Sequence, residues 1–492
     1  MNKDQRNKAV FLITIDALRA DHLKSYGYHL NPAPNLERFT EKGTIFLNAI
    51  TNGPESPTAF SAIFTSVLPF LDGGYSPLPP QKITFPQLLK EYGIFNYCIH
   101  SNPNLGRFFN YDRGFTIFLD GERYKRKPSK DKNLGLKQIF SFYIKKILEY
   151  NAIYEILMYR IKGFNKLKTW LRNKIPLLTD ILLPFTPIAY NAPYVATKVI
   201  SILKKIKKPF FLWAHFMDAH SPYNPPTKNV LHFRKKDFTI SERDFLVNTI
   251  RSNHDNSKIT ADILKDLKVL YDSEINYIDE NLIKILNYIK IRFKKDVLII
   301  ITADHGESFY EHRTFEHQGS VFEELLKIPF IIIEIGKKSQ LRTFTEPVQL
   351  IDIAPTILNY FSIDIPENFQ GKSLLPILKG KTIETPAVIF SECYQKNGLM
   401  KRNHNEGYIL LAIRKEGWKY IYDEEKKKEY LFNLKNDLSE KINLFNKNLE
   451  KLNEFRKIRE KHIQESIIYT EEKSKIMKAI NIIDFNKLKN EN

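Results

Sequence analysis

Cysteine is scarce in this chain of 492 residues, which has only Cys98 and Cys393. Two cysteines in a chain of this length cannot build a disulfide framework, so disulfide-stapled secreted scaffolds are excluded. No run of about 18 apolar residues occurs, which argues against a membrane-spanning helix. The first residues are charged and polar, without the apolar stretch and cleavage site of a leader. We therefore expect a cytoplasmic protein with reduced thiols.

Apolar residues are plentiful, since 43% of the residues are hydrophobic and 13% are aromatic. That composition supports a packed core and excludes wholesale disorder. The net charge of +19 is unevenly distributed. Residues 121–208 hold 20 Lys and Arg against 5 Asp and Glu, a balance of +15, so the rest of the chain carries about +4. One segment is strongly basic, and the remainder is close to neutral.

Short β-rich runs alternate with helical stretches along most of the chain. The predicted strands are Val10–Ile15, Thr44–Ala49, Ile94–His100, Pro209–Met217, Asp296–Thr302 and Ile328–Glu334. The predicted helices are Leu36–Lys42, Thr58–Thr65, Phe85–Tyr92, Leu264–Phe293 and Asp352–Phe361. This alternation predicts an α/β fold, with a doubly wound, mostly parallel sheet flanked by helices.

The pattern changes near the C-terminus, where Leu410–Arg414 and Trp418–Tyr422 form a predicted strand pair. We therefore expect a catalytic α/β domain over 1–385 that contains a basic helical insert at 121–208. A small C-terminal α+β subdomain follows over 386–445, and a charged helical tail occupies 446–492.

Polar residues stand just past the carboxyl ends of four predicted strands: Asp16, His100, Asp218 and Asp304. In open α/β sheets, ligands bind outside these strand ends. The sharpest motif is Thr302-Ala-Asp-His-Gly-Glu307, in which an apolar strand delivers a carboxylate and an imidazole to one point. Carboxylate oxygen and imidazole nitrogen suit a divalent cation. A helix cap is the alternative role for Asp304.

Five stretches resemble, in order, motifs of the sulfatase branch of the alkaline phosphatase superfamily. They are the opening strand with its D-x-L-x-x-Y-G continuation at 13–27, the nucleophile loop and helix at 52–65, a mid-chain His motif at 216–223, the second metal segment at 303–329, and a structural signature at 349–374. The resemblance covers most of the chain, and it implies an atypical member with a non-standard nucleophile loop.

The resemblance implies a metal site made of Asp16, Asp304 and His305, completed by the nucleophile at Ser56. Its cofactor would be one divalent ion, Ca²⁺, Mg²⁺ or Mn²⁺. Many family members carry a second Asp directly after the first. Ala17 stands there in this chain, which favours a single-metal site.

Ser56 occupies the family's catalytic Cys or Ser position, a residue that mature sulfatases convert to formylglycine. The converting enzymes read a C/S-x-P-x-R pattern, but Thr58 and Phe60 stand at the Pro and Arg positions here. Both an unmodified Ser56 hydroxyl and its formylglycine form therefore stay open. Thr58 is an alternative nucleophile if the loop is shifted by two residues. Ser56 would also lie near a helix N-terminus, where backbone N–H groups favour an anion or accept a cap.

The resemblance also implies substrate-binding roles for Asn102 and Asn104, which stand where many sulfatases carry Lys and His. His220 matches the anion-contacting His of the family. His317, 13 positions after Asp304, falls where relatives place a cationic leaving-group contact, and a histidine there could protonate the leaving oxygen. We interpret two further histidines, His215 and His312, as surface-turn residues.

The function that follows is metal-dependent hydrolysis of sulfuric esters, acting on a sulfate or phosphate ester substrate such as a glycan. The alternatives are a phosphate or phosphonate ester hydrolase, a phospho-group transferase in surface-glycan or lipid-linked glycan metabolism, and a degenerate member that binds without turnover. For the basic segment 121–208 three roles stay open: a lid or structural insert, a peripheral membrane contact, and polyanion binding. Nucleic acid is disfavoured, because no reading motif accompanies the charge.

Overall fold

An eight-stranded sheet forms the centre of the molecule, in the order β12-β2-β11-β7-β1-β6-β4-β5. The computed structural model describes residues 7–72, 77–121, 190–252, 259–317, 319–337, 341–396 and 407–466. The strands of this sheet are β1 (Ala9–Ile15), β2 (Thr44–Phe46), β4 (Phe95–Ile99), β5 (Ile117–Leu119), β6 (Phe210–Phe216), β7 (Val297–Ala303), β11 (Phe330–Ile335) and β12 (Arg342–Phe344). Smaller pairings involve β3 (Ala49–Ile50), β8 (Ser308–Phe309), β9 (Phe315–Glu316), β10 (Lys327–Ile328) and β13 (Val348–Gln349).

The middle of this sheet is parallel and fully buried. Strand β1 lies between β6 and β7, runs parallel to both, and has no exposed position. Parallel strands covered on both faces read as continuous apolar runs, which is why β1 and β7 were predictable from sequence. Among the described strands of this sheet, only β11 runs antiparallel to its neighbours.

Helices cover the sheet: α1 (Pro34–Thr40), α2 (Ser56–Thr65), α3 (Pro69–Asp72), α4 (Phe85–Glu91), α5 (Ala192–Leu203), α6 (Thr227–Val230), α7 (Ile240–Ser252), α8 (Ala261–Arg292), α9 (Glu323–Leu326), α10 (Ile353–Tyr360) and α11 (Leu375–Leu378). One group packs around α8, which contacts α1 and α5, and another packs around α2, which contacts α4 and α10. The predicted fold class, a mostly parallel sheet flanked by helices, is confirmed.

A separate antiparallel sheet follows in the chain, made of β14 (Ile389–Lys396), β15 (Gly407–Lys415), β16 (Trp418–Asp423) and β17 (Lys428–Asn433). One face packs Leu410 and Phe432 against Ile50 and Leu326 of the main body. The other face is covered by residues 449–466, which are helical and bury Leu452 and Phe455. This sheet is the small C-terminal unit expected from the sequence.

The structure departs from the predicted strand Thr44–Ala49, which it divides between two sheets. Strand β2 stays in the main sheet, whereas β3 joins β10 and β13 in a three-stranded sheet. The break falls at Leu47, whose N–H donates to the carbonyl of Phe344 rather than to a neighbour of β3. The local sequence cannot predict this change, because it depends on strand partners that are distant in the chain.

Most of the basic segment predicted at 121–208 lies outside the described residues, so its proposed roles stay predictions. Its last part does lie in the α/β body, because helix α5 buries Ala192, Val195, Val199 and Leu203 against the sheet and α8. No helix within the described ranges is long and apolar enough to cross a membrane.

Helix α8 offers a matched test of the packing. Ile289 is fully buried, and Ile291, two residues later, is 76% exposed. We expect Ile289→Ala to lower the free energy of unfolding by about 2–5 kcal/mol, because it removes buried methyl groups and leaves a cavity. Ile291→Ala should change it by no more than about 0.5 kcal/mol. Urea denaturation of both variants measures the difference, and equal losses would contradict this packing of α8.

Candidate active site

Strand register brings two carboxylates together at the edge of the sheet. Ile15, the last residue of β1, pairs with Ala303, the last residue of β7, so Asp16 and Asp304 follow at the same level. Both side chains are fully buried. Asp304 Oδ1 accepts from the N–H of His305 at 3.0 Å and of Ala17 at 3.2 Å. Ala17 adopts the left-handed region (φ 57°), which is disfavoured for a residue with a Cβ.

Ser56 reaches this pair as the first residue of α2. Pro57 follows it in the first helical turn, where proline costs no hydrogen bond. The preceding loop passes close to the helix at Gly53, where a Cβ would lie 2.1 Å from Thr58 Oγ1. Ser56 Oγ lies 2.8 Å from Asp304 Oδ2, 3.3 Å from Asp16 Oδ2 and 3.5 Å from His305 Nε2. The serine hydroxyl therefore sits within a cluster of two carboxylates and one imidazole.

Asn102 donates to two members of this cluster. Its Nδ2 lies 2.9 Å from Ser56 Oγ and 3.0 Å from Asp16 Oδ2. Its Oδ1 accepts from the backbone N–H of Asn104 at 3.0 Å, which fixes the amide orientation. The side chain of Asn104 is exposed, so the structure brings only its backbone toward the cluster.

His305 presents one nitrogen to the cluster. Its Nδ1 lies 2.8 Å from the carbonyl oxygen of Gly306, an acceptor only, so Nδ1 carries the hydrogen and Nε2 of the neutral ring has a free lone pair. Nε2 lies 3.6 Å from Asp304 Oδ2 and 3.7 Å from Asp16 Oδ1. Burial lowers the pKa of His305, but the two carboxylates outweigh it and the pKa is raised. A Cβ on Gly306 would lie 1.9 Å from the Glu324 carbonyl oxygen, so only glycine fits there.

Two further imidazoles border the cluster. The ring of His317 lies 4.3 Å from that of His305 and 5.0 Å from that of His220, centroid to centroid. Burial lowers the pKa of His220, but the charges of Asp16 and Glu307 raise it to about 9. Burial and the neighbouring His305 lower the pKa of His317. The structure thus brings both sequence-predicted histidines to the same side of the cluster.

Two buried carboxyl groups beside the cluster had no role in the sequence analysis. Glu307 Oε2 accepts from Tyr223 Oη at 2.9 Å, and its Oε1 lies 3.7 Å from His317 Nδ1. Glu55 directly precedes Ser56, and burial raises its pKa to about 7 although the Cys393 thiol, 3.8 Å from Oε1, lowers it. The position of Glu307 in the Thr302–Glu307 motif was a signal that could have identified it. No sequence signal identified Glu55.

His215 is the clearest correction to the sequence interpretation. It is not a surface-turn residue but a fully buried residue of β6, with Nε2 3.1 Å from Asp16 Oδ2. Its place within the apolar run of that strand was the signal that could have placed it inside. His312 does lie in a turn, where it stacks on Phe322 at 3.6 Å and bonds Glu324 Oε1 at 2.8 Å.

The other two strand-end residues, His100 and Asp218, play different parts. His100 is buried and stacks on Trp213 at 5.1 Å, and burial lowers its pKa well below the usual range. Asp218 Oδ1 accepts from the N–H of Ala192 at 2.9 Å, and burial raises its pKa to about 6. Within the described residues, neither side chain bonds to Asp16 or Asp304.

The cluster has the donors of a cation site. Asp16, His215 and Asp304 each offer a ligand atom within 4.8 Å of the others. Burial would raise the pKa of Asp16, but His220, His215 and His305 lower it, so the carboxylate is ionised. Its Oδ1 is buried and has no hydrogen-bond partner among the described residues, which is costly unless a cation or another donor meets it. Two carboxylates, an imidazole nitrogen and a hydroxyl suit a divalent ion.

Comparison with known proteins identifies relatives over most of the chain. The profile of the family described as Sulfatase matches residues 8–363, and that described as N-sulphoglucosamine sulphohydrolase, C-terminal, matches residues 310–467. An arylsulfatase of Clostridium perfringens is 24% identical over 460 residues, 88% of this chain and 89% of that protein. Arylsulfatase K of Danio rerio is 34% identical over 149 residues; this match spans 29% of the chain and only 27% of that relative's length.

Solved structures share the fold at low identity. A phosphonate monoester hydrolase of Agrobacterium radiobacter superposes with a TM-score of 0.63 at 17% identity, covering 94% of this chain and 95% of the other. A protein solved with its substrate D-glucosamine-2-N,6-O-disulfate has a TM-score of 0.62 at 16% identity, covering 94% and 98%.

Replacing Asp304 tests the cation site. We expect Asp304→Asn to weaken Mn²⁺ binding by more than about 100-fold, because it removes a charged oxygen while an amide oxygen still accepts the Ala17 and His305 N–H groups. Isothermal titration calorimetry and elemental analysis of the purified protein provide the measurement. Asp364→Asn, at an exposed loop position, is the matched control. Wild-type metal content in Asp304→Asn would contradict the assignment.

Proposed function

The chain belongs to the sulfatase family, and from that membership we propose that it hydrolyses the sulfate ester of a sugar with Ser56 as the nucleophile. The family's reaction is sulfuric ester hydrolysis. The observation that carries the assignment of Ser56 is its hydroxyl, held at once by Asp304 and Asn102 at the carboxyl edge of the sheet. The sugar class follows from the glucosamine disulfate bound to a protein of the same fold.

Asp16, Asp304, His305 and Ser56 would hold one divalent cation. The fit rests on the buried Asp16 Oδ1, which has no hydrogen-bond partner among the described residues, and on the unprotonated Nε2 of His305. Bound there, the cation would lower the pKa of the Ser56 hydroxyl and offset negative charge on the substrate. Ca²⁺, Mg²⁺ and Mn²⁺ all suit the carboxylate and hydroxyl oxygens of this site.

Ser56 is oriented and activated by its own neighbours. Its hydroxyl donates to Asp304 Oδ2, which can accept the proton as the oxygen attacks. Asn102 Nδ2 donates to Ser56 Oγ and so fixes the position of the hydroxyl oxygen. The N-terminus of α2, where Ser56 stands, favours the tetrahedral anion. Because Thr58 and Phe60 replace the Pro and Arg of the conversion pattern, we favour the unmodified hydroxyl over formylglycine.

His220 and His317 would bind the anion and the leaving oxygen. They stand next to His305 at the border of the cluster, where imidazole N–H groups can meet the oxygens of a bound ester. Burial lowers the pKa of His220, but Asp16 and Glu307 raise it to about 9, so His220 can bind the anion as a cation. We assign His317 to the leaving oxygen because it falls where relatives place a leaving-group contact.

The charges of the cluster favour a substrate with one negative charge. Burial would raise the pKa of Asp16, and the groups that lower it most are all imidazoles, His220, His215 and His305, of which His215 acts first through its hydrogen bond. A sulfate ester carries one charge, whereas a phosphate monoester carries two near neutral pH and needs more compensation. A phosphonate monoester also carries one charge, and the fold is shared with a phosphonate monoester hydrolase, so phosphonate monoester hydrolysis is the second candidate activity.

A panel of matched substrates tests the proposal. With divalent metal added, we expect turnover of an aryl sulfate to exceed that of a phosphonate monoester and a phosphate diester, and a phosphate monoester to be slowest. Ser56→Ala should reduce turnover by about a thousandfold or more, because it removes the nucleophile. Thr58→Ala should stay close to wild type, since Thr58 Oγ1 donates to the Glu55 carbonyl and faces away from the carboxylates.

The reverse result for the two variants would move the nucleophile to Thr58. Phosphate monoester turnover above that of the sulfate would overturn the charge argument. Metal binding without turnover of any ester would favour a binding protein.

Leaving-group dependence tests His317. We expect His317→Ala to lower kcat/KM by about 10²- to 10⁴-fold for a sugar sulfate, whose alkoxide must be protonated as it leaves. The loss should be much smaller for a nitrophenyl sulfate, whose anion is stable without a proton. Steady-state kinetics with both substrates measures the difference. His232→Ala, at an exposed histidine, is the control, and equal losses on both substrates would remove His317 from the leaving-group role.

A further inference from the structure

Three buried side chains form a line behind Asp16, on the neighbouring strands β1 and β6. Trp213 Nε1 lies 2.9 Å from Thr14 Oγ1, which lies 2.8 Å from His215 Nδ1. His215 Nε2 in turn lies 3.1 Å from Asp16 Oδ2. All four residues are fully buried. Thr14 and His215 stand directly opposite each other in the strand register, so the sheet itself fixes their contact.

Counting hydrogens along this line determines the tautomer of His215. Trp213 Nε1 can only donate, so a lone pair of Thr14 Oγ1 accepts from it. The hydroxyl hydrogen of Thr14 then needs an acceptor, and His215 Nδ1 is its other partner. If Nδ1 carried a hydrogen, the Thr14 hydroxyl would be left buried with nothing to donate to, at a cost of about 1–3 kcal/mol. His215 is therefore a neutral ring with its hydrogen on Nε2.

We propose that His215 is a positioning residue, which donates Nε2–H to Asp16 Oδ2 and leaves Oδ1 as the oxygen offered to the cation. Its distance to the carboxylates would also allow a second reading, in which Nε2 is itself a ligand. If Nε2 were a ligand, the ring hydrogen would have to be on Nδ1, and the buried Thr14 hydroxyl would then have no acceptor. The inference rests on the cation site of the proposed function and adds to it the element that aims Asp16.

The two oxygens of Asp16 support this assignment. Oδ2 lies within 3.3 Å of Asn102 Nδ2, His215 Nε2 and Ser56 Oγ, whereas Oδ1 has no hydrogen-bond partner among the described residues. Because the donors all meet Oδ2, they fix the rotation of the carboxylate and direct Oδ1 inward. Phe60 packs edge-on against the His215 ring at 5.2 Å and keeps its plane in place. Removing the donor would free the carboxylate to turn.

Metal affinity provides the first test, with Mn²⁺ alone as the probe and calorimetry as the measurement. We expect His215→Leu to weaken binding by about 10- to 100-fold, as loss of a partner behind a ligand does. His215→Gln can place an amide N–H near the position of Nε2 and should recover most of the affinity. Thr14→Val keeps the volume but loses the hydroxyl, and it should weaken binding, whereas Thr14→Ser should not.

The second test counts nitrogens on the metal. Pulsed electron paramagnetic resonance of bound Mn²⁺ should detect one coordinated imidazole in the wild type, assigned to His305, and still one in His215→Leu. Two imidazoles in the wild type that fall to one in His215→Leu would make His215 a ligand and overturn the inference. If His215→Leu does not fold, the Mn²⁺ affinity of Thr14→Val tests the positioning role instead.

The outcomes separate this inference from the proposed function. Unchanged Mn²⁺ affinity in both His215→Leu and Thr14→Val would overturn the positioning role alone, because the site would still bind. A wild-type protein that binds no Mn²⁺, Mg²⁺ or Ca²⁺ would overturn the cation site, and the inference with it. Equal thermal stability of the metal-free variants would show that any loss of affinity is not a loss of fold.

Discussion

The pairing of β1 with β7 places two carboxyl groups in the core of the protein, and the rest of the site compensates for that. Asp16 and Asp304 are both fully buried, and isolated buried charges are too costly to persist. Among the described residues, the polar groups that contact the pair are hydrogen-bond donors or imidazoles. Asn102, Ser56, His305 and backbone N–H groups surround the two carboxylates. The constraint therefore selects the same residue types that nucleophilic catalysis beside a cation needs.

The remaining polar groups of the site fit the proposed cation. Among the described residues, the buried Oδ1 of Asp16 has no hydrogen-bond partner, and His220, His305 and His317 lie together on one side, beside Glu307. A cation that binds the folded state adds RT ln(1 + [L]/Kd) to its stability, so binding at the proposed site would couple metal to fold through these residues. The hydrogen bonds already orient the groups of the site, which limits the reorganisation needed during the reaction.

The parts of the site that depend on single strands could be predicted from the sequence. Apolar runs ending in Asp16 and in Asp304-His305 marked two strand ends, and family motifs supplied Ser56 and Asn102. The role of His215 could not be found this way, because its partner Thr14 is 201 residues away and the contact exists only through the register of β1 with β6. The reversal of β11 and the division between β2 and β3 escaped prediction for the same reason, since strand partners are chosen by the whole sheet.

The departures of the nucleophile loop from the family pattern have a common structural basis. Phe60, at the position of the family's Arg, is fully buried, with its ring 5.0 Å from Trp213 and 5.2 Å from His215. An arginine there would bury a guanidinium against these rings, where it would need a partner of its own. Thr58, at the position of the Pro, donates its hydroxyl to the Glu55 carbonyl within the first turn of α2. In this chain, Phe60 thus packs against the line of side chains from Trp213 to Asp16. The residue that departs from the conversion pattern is therefore the same residue that holds His215 in place behind the carboxylate.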